Sequence, residues 1–166
     1  MDWASLFAGF LQWSQEMIAS FGYLGVFVVS FVSTATIFLP APGFLFIIAA
    51  SAFLNPLLVA VVSAAGMALG ELTGFFIGKG GGRVLDRKEK KWLKKGEKWF
   101  QEGKGFLFIM LFAATPLPDD ITGIVGGMFS YDLKKFLLAS FLGKLLMNTA
   151  LAFAGFYGFS FFLGGV

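Results

Sequence analysis

The chain contains no cysteine and no histidine. The first absence excludes disulfides and thiol chemistry and leaves the redox compartment open. The second removes the commonest metal ligand and the usual acid–base side chain. Together they argue against a zinc site and against a Ser-His or Cys-His nucleophile. Charge is scarce too, at 14% of 166 residues, while 57% are apolar and the mean hydropathy is +0.80. Soluble domains of this size seldom reach such values, so the composition points to an integral membrane protein. Proline is rare, and four of the five fall in two Pro-x-Pro pairs, Pro40/Pro42 and Pro116/Pro118. What abounds is phenylalanine (23) and glycine (22). Phe faces lipid or packs between helices, and Gly allows close helix approach and helix breaks.

The net charge of +3 is unevenly spread, because ten of the thirteen Lys and Arg lie between Lys79 and Lys104. The positive-inside rule makes residues 80–104 cytoplasmic. Gly80-Gly81-Gly82 predicts the end of the preceding helix. Beyond it, Leu85, Trp92, Gly96 and Trp99, with Leu93 and Phe100 beside them, form one helical stripe, and Arg87, Lys88, Lys90, Lys91, Lys94, Lys95 and Lys98 cover most of the rest. This predicts a basic amphipathic helix on the inner leaflet, with Trp92, Trp99, Lys91 and Lys95 at the membrane surface. A solvated loop helix is the plain alternative. Nucleic-acid binding is disfavoured in so short a segment. Residues 1–20 place Trp3, Leu6, Phe7, Phe10, Leu11, Met17 and Ile18 at helical spacing. They predict a helix lying in the interface, or one packed on the rest of the protein. They lack the basic start of a cleavable signal peptide.

The stretch Thr115-Pro116-Leu117-Pro118-Asp119-Asp120 separates two apolar runs, Phe106–Ala114 and Ile121–Phe129. Each run is about half the length a helix needs to cross a bilayer. Proline cannot continue a helix and forces the preceding residue towards an extended form. The chain is therefore expected to enter the membrane, break at mid-depth and turn back. Broken backbone and paired carboxylates survive there only against protein or a water-filled cavity. Leu39-Pro40-Ala41-Pro42-Gly43 repeats the feature earlier in the chain. Setting Pro42 against Pro118 brings Gly66 near Gly143, Glu71 near Asn148 and Gly78 near Gly155, at an offset of 76 to 77 residues.

The expected fold is an all-α integral membrane protein of two inverted repeats. Each repeat is a re-entrant helical hairpin followed by a transmembrane helix, and amphipathic interfacial helices complete it. The segments are an interfacial helix at 1–20, a hairpin at 21–55, a transmembrane helix at 56–79, the basic helix at 80–104, a second hairpin at 105–130 and a transmembrane helix at 134–164. The length of 21–39 also permits a full crossing, which would move the N-terminus inside. Gly66, Gly70, Gly74 and Gly78 form a ridge for close helix contact in the first transmembrane helix. Glu71 lies within that helix and must face the interior and find a partner or a proton.

These features resemble a known family. Gly66-x3-Gly70-Glu71-x2-Gly74-x3-Gly78-Lys79-Gly80 is similar to the DedA/VTT (SNARE-associated) motif. Trp99-Phe100-x2-Gly103 resembles the short helix that follows, Pro116 to Gly127 the second re-entrant loop, and Phe136 to Lys144 the final helix. The likeness covers residues 25–158. It implies opposed hairpins and lipid translocation by a flippase or scramblase, in some members proton-coupled. The chain also departs from the pattern. Ser33-Thr34-Ala35-Thr36 stands where many members carry an acid before the first break. Ala113 and Asp119 stand where many carry arginine, which weighs against an anionic lipid phosphate.

The expected function is transport of a phospholipid or polyprenyl phosphate, without enzymatic activity, cofactor or metal. The headgroup would pass a polar cavity between the hairpins, lined by Glu71, Asp119, Asp120, Lys144 and Asn148. The breaks themselves are Pro40, Pro42, Gly43, Pro116 and Pro118. Helix starts at Gly43 and at Asp119-Asp120 offer free N–H groups to a phosphate, or the aspartates cap their own helix. Lys144 pairs with Glu71 or an aspartate, or binds phosphate. Glu71 and the aspartates could carry a proton. The expected partners are membrane lipids and protons, with homo-oligomerisation left open, and the expected location is a prokaryotic cell membrane. Two rivals remain. One is an intramembrane hydrolase using Asp119 and Asp120. The other is a non-transporting assembly factor acting through the basic helix.

Overall fold

A computed structural model of the chain describes residues 3–36, 42–84, 91–115 and 120–162. Helix dominates, and no strand occurs among the described residues. The helices are α1 (Trp3–Ala35), α2 (Pro42–Ser51), α3 (Pro56–Gly70), α4 (Leu72–Val84), α5 (Lys91–Trp99), α6 (Gly105–Ala113), α7 (Asp120–Met128) and α8 (Leu133–Phe162). A π-helical turn, Phe100–Lys104, joins α5 to α6. Three stretches are long and apolar enough to cross a membrane: Ala8–Ala35, Pro56–Gly82 and Leu133–Phe159. The protein is an integral membrane protein of the all-α class. By contrast α2, α6 and α7 have ten, nine and nine residues. At 1.5 Å per residue each is about 15 Å long, half the hydrocarbon thickness.

Local chemistry explains the boundaries. α1 kinks at Gly22, whose φ of 51° and ψ of −128° disfavour a residue with a Cβ. Ahead of the kink, Ser14 and Ile18 are buried and the Trp13 ring lies 5.6 Å from Phe46 of α2. One face of that half of α1 therefore packs on protein, while most of its other side chains are exposed. Asn55 caps α3, its Oδ1 accepting from the N–H of Leu57 at 3.0 Å and of Leu58 at 3.3 Å, and Pro56 takes the first turn. α7 ends in a left-handed Ser130 (φ 51°), with Ser130 N–H bonded to Gly127 C=O and Tyr131 N–H to Gly126 C=O. Asp132 then starts α8 by accepting from Lys135 N–H at 2.9 Å. One expectation fails. Gly80-Gly81-Gly82 does not end the helix, and α4 runs on to Val84. Tertiary contact outweighs the low propensity of glycine, because Gly82 lies under the backbone of Met128, where a Cβ would come within 2.9 Å of its carbonyl.

α3 and α4 form one nearly continuous span, interrupted at Glu71, which keeps helical φ/ψ (−62°, −14°). This span runs antiparallel to α8, since Ser63 meets Asn148 and Glu71 meets Ser140. Beside them the short helices pack in a crossed pattern. The second half of α1 lies on α3 and α6 lies on α8, while α2 crosses to α8 and α7 crosses to α4. Glycines mark these contacts. A Cβ at Gly66 would strike the backbone of Phe27 in α1, and one at Gly143 that of Met110 in α6. A Cβ at Gly78 would overlap Ile124 of α7, and one at Gly155 would overlap Ile48 of α2.

The described helix ends on either side of both breaks lie beside the middle of the spans. At the end of α1, Ala35 C=O accepts from Thr73 Oγ1 at 3.2 Å, and Thr34 Oγ1 donates to Met67 C=O at 3.0 Å. α2 restarts beside them, with Gly43 against Ser33 and Met67. α6 ends at Ala113, beside Gly143. α7 restarts near Glu71, because a Cβ at Gly123 would stand 3.0 Å from Glu71 O and 3.2 Å from Phe75 N. At the end of α1 a carbonyl left unpaired by the helix end thus finds a side-chain donor from the adjacent span. The buried apolar side chains gather in two clusters. One holds Val26, Phe46, Ile47, Val59 and Met67, and the other Phe75, Phe100, Ile109, Tyr131 and Phe136.

Candidate functional site

Glu71 and Asn148 each lie fifteen residues into their spans, near mid-depth. Both are buried, as are Lys144, Ser63 and Ser140. Lys144 Nζ stands 3.3 Å from Glu71 Oε1, and both side chains have 0% exposure. Ser140 Oγ donates to Glu71 Oε2. The carboxylate therefore meets a cation on one oxygen and a hydroxyl on the other, which is how a buried charge is retained at depth. One turn away towards the start of α3, Asn148 Nδ2 donates to Ser63 Oγ at 2.9 Å and lies 3.6 Å from Met67 Sδ. Ser63 Oγ in turn donates to Ala60 C=O at 3.2 Å. Asn148 Oδ1 and Ser30 Oγ are buried without a hydrogen-bond partner.

The two groups match position by position. Ser63, Met67 and Glu71 are spaced by four along α3–α4, and Ser140, Lys144 and Asn148 are spaced by four along α8. Each member of the second set follows its counterpart by 77 residues. The contacts exchange across the sets: Ser140 and Lys144 meet Glu71, while Ser63 and Met67 meet Asn148. Spacing by four puts all three residues of a set on one helix face. Chemically, the outcome is one charged triad (Ser140, Lys144, Glu71) and one neutral triad (Ser63, Met67, Asn148).

The structure thus brings together Glu71 and Lys144, and sets Asn148 one turn away from that pair. Gly43 lies against the neutral triad through Met67. Pro42 and Asp120 begin α2 and α7, and their side chains are not among those described. Pro40, Pro116, Pro118 and Asp119 lie outside the described residues. On α5, Lys95 is exposed and Trp99 is 41% exposed, its ring 6.1 Å from Phe108. The side chains of Lys91 and Trp92 are again not among those described. Gly96 and Phe100 do not face a membrane surface. Gly96 packs under Phe129, and the Phe100 ring lies 5.0 Å from Phe129 in a tilted contact and 5.6 Å from Tyr131 edge-on.

Ser63 and Ser140 carry no mark of their own in the sequence. The signal was the 77-residue offset itself, which aligns them once Glu71 is set against Asn148. Serine is common in membrane helices, so neither stands out alone. Among the described residues no cluster of His, Cys, Asp and Glu could hold a metal ion.

Comparison with known proteins bears on the whole chain. The model of the VTT domain matches residues 39–157, which take in both triads and both breaks. An uncharacterized protein of Methanocaldococcus jannaschii is similar, at 29% identity over 142 residues, covering 84% of this chain and 87% of that one. No solved structure matches. With its spanning helices and the family match over most of its length, the chain belongs to the VTT-domain (DedA) family, whose members are membrane-associated and implicated in lipid transport.

Proposed function

We propose that this protein moves lipids between leaflets, as a flippase or scramblase, by passing the headgroup through a polar core while the acyl chains stay in the bilayer. The observation that carries the reading is the buried pair of polar triads at mid-depth, flanked by two helix breaks. In this reading the second half of α1 with α2, and α6 with α7, are re-entrant hairpins. Each hairpin makes no net crossing and each following span crosses once, so the repeats are inverted. The antiparallel spans and the crossed packing of α2 and α7 support that arrangement. The first turns of α2 and α7 begin beside Met67 and Glu71, and a headgroup oxygen could accept from N–H groups there. Glu71 and Lys144 supply the charges on which a coupled proton could act. Residues 80–104 face the cytoplasm in this orientation. The purified protein in liposomes should accelerate exchange of fluorescent lipid analogues between leaflets, and Glu71→Gln should slow it. Exchange no faster than in empty liposomes, across several headgroups, would sink the transport reading.

A second reading is an assembly or interaction factor that acts through its basic helix. Lys94, Lys95 and Lys98 are exposed on one side of α5, whose other side is packed on Phe129. That reading predicts binding to anionic partners with no leaflet exchange, so the same liposomes separate the two.

A further inference from the structure

The two triads differ in how they are held. In the charged triad Ser140 donates to Glu71 Oε2, and Glu71 Oε1 is held to Lys144 at 3.3 Å as an ion pair rather than by a hydrogen bond. The neutral triad has methionine where its counterpart has lysine, and leaves Asn148 Oδ1 fully buried without a partner. Nearby, Ser30 Oγ of α1 is also fully buried and unpartnered, and its Cβ faces Gly66, between Ser63 and Met67 in register. Buried polar atoms normally find protein or water partners. The ion pair staples the two spans on the α7 side. On the α2 side, among the described residues, the polar link between the spans is Asn148, through one neutral hydrogen bond and one thioether contact.

We propose that the core is gated unequally: the charged triad is a latch, and the neutral triad is the side at which uncharged hydrogen-bonding ligands, water first, enter past α2. Ser63, Asn148 and Ser30 form that entry. The inference deepens the transport reading, but its readout does not require transport.

The chain has no native cysteine, so single cysteines can be introduced directly. Ser30→Cys, Ser63→Cys and Ser140→Cys would be placed in lipid nanodiscs, which expose both faces. Each would be treated with a cationic and with an anionic methanethiosulfonate reagent, so that local charge does not set the order. Ser30→Cys removes no hydrogen bond, and Ser140→Cys loosens the latch and so works against the proposal. The expected result is modification of Ser30→Cys and Ser63→Cys at least about tenfold faster than Ser140→Cys with both reagents, which corresponds to ~1.4 kcal/mol in opening. Equal rates, or a faster Ser140→Cys, overturn the proposal. Moving the pair by Met67→Lys, Asn148→Glu, Lys144→Met and Glu71→Asn should reverse the order. If that variant is not monodisperse, Lys144→Met with Glu71→Asn makes both triads neutral, and the rates should converge. An unchanged ratio in either background also overturns it. Failure of lipid exchange with the labelling order intact would count against the transport reading alone.

Discussion

The two triads sit in equivalent places on equivalent faces, yet one carries an ion pair and the other a methionine and an amide. The helices around them are built alike. Gly66 and Gly143 admit the first half-length helix of each half, and Gly78 and Gly155 admit the second. Close backbone contact thus recurs around both triads, while the polar chemistry at their centres differs. A Cβ at any of these glycines meets backbone. The side chains at 67 and 144 meet different partners.

The sharpest way to break this comparison is to remove one charge. Lys144→Met leaves Glu71 buried against Ser140 alone and should cost about 3–5 kcal/mol. Met67→Leu, at the matching position, should cost under about 1.5 kcal/mol. Thermal unfolding in detergent measures both, and equal losses would show that the two triads are energetically alike. Adding Glu71→Gln to Lys144→Met should recover most of the loss, because no lone charge then remains.

Next in size are the glycines. Gly78→Leu and Gly155→Leu should each cost about 1–3 kcal/mol or more by overpacking. Gly80→Leu and Gly158→Leu should not, since nothing lies within 4 Å of a Cβ there. Unequal losses at Gly78 and Gly155 would weaken the view that the two halves pack alike.

Smaller still are the hydroxyl and amide. Ser140→Ala removes a hydrogen bond to a charged group and should cost about 1.5–3 kcal/mol, whereas Asn148→Ala removes a neutral bond worth about 1 kcal/mol. A larger loss at Asn148 than at Ser140 would reverse the ranking of the triads. The smallest effect on stability belongs to charge at the surface. Replacing Lys94, Lys95 and Lys98 together by Gln should leave stability within about 0.5 kcal/mol per residue. Affinity for anionic vesicles should fall by about 1 kcal/mol per lysine if that face meets lipid. Vesicle co-sedimentation of the purified protein reads this directly.

Much of the fold was legible because its causes are local. Pro-x-Pro pairs end helices wherever they occur, and apolar run lengths measure themselves against the bilayer. Asn55-Pro56 starts a helix by its own hydrogen bonds. Glu71, Lys144 and Asn148 could be named because polar groups inside apolar spans are expensive. What was not legible were the relations among them. Gly80-Gly81-Gly82 reads as a helix end, and only the backbone of Met128 lying against Gly82 explains why the helix continues. Gly96 and Phe100 read as part of a lipid-facing stripe, and the aromatic cluster with Phe129 and Tyr131 claims them instead.

By itself the sequence determined the membrane setting, most of the places where helices start and stop, and that Glu71, Lys144 and Asn148 must be buried. Those follow from transfer free energy and backbone sterics, which depend on a residue and its near neighbours. Only the tertiary structure decided which buried groups meet. The antiparallel crossing of α3–α4 with α8 puts Ser140 and Lys144 on Glu71 and leaves Asn148 to Ser63 and Met67. A hydrogen bond or an ion pair needs its partner within about 3–4 Å, and residues 69 to 85 positions apart reach that distance only when the whole bundle has packed.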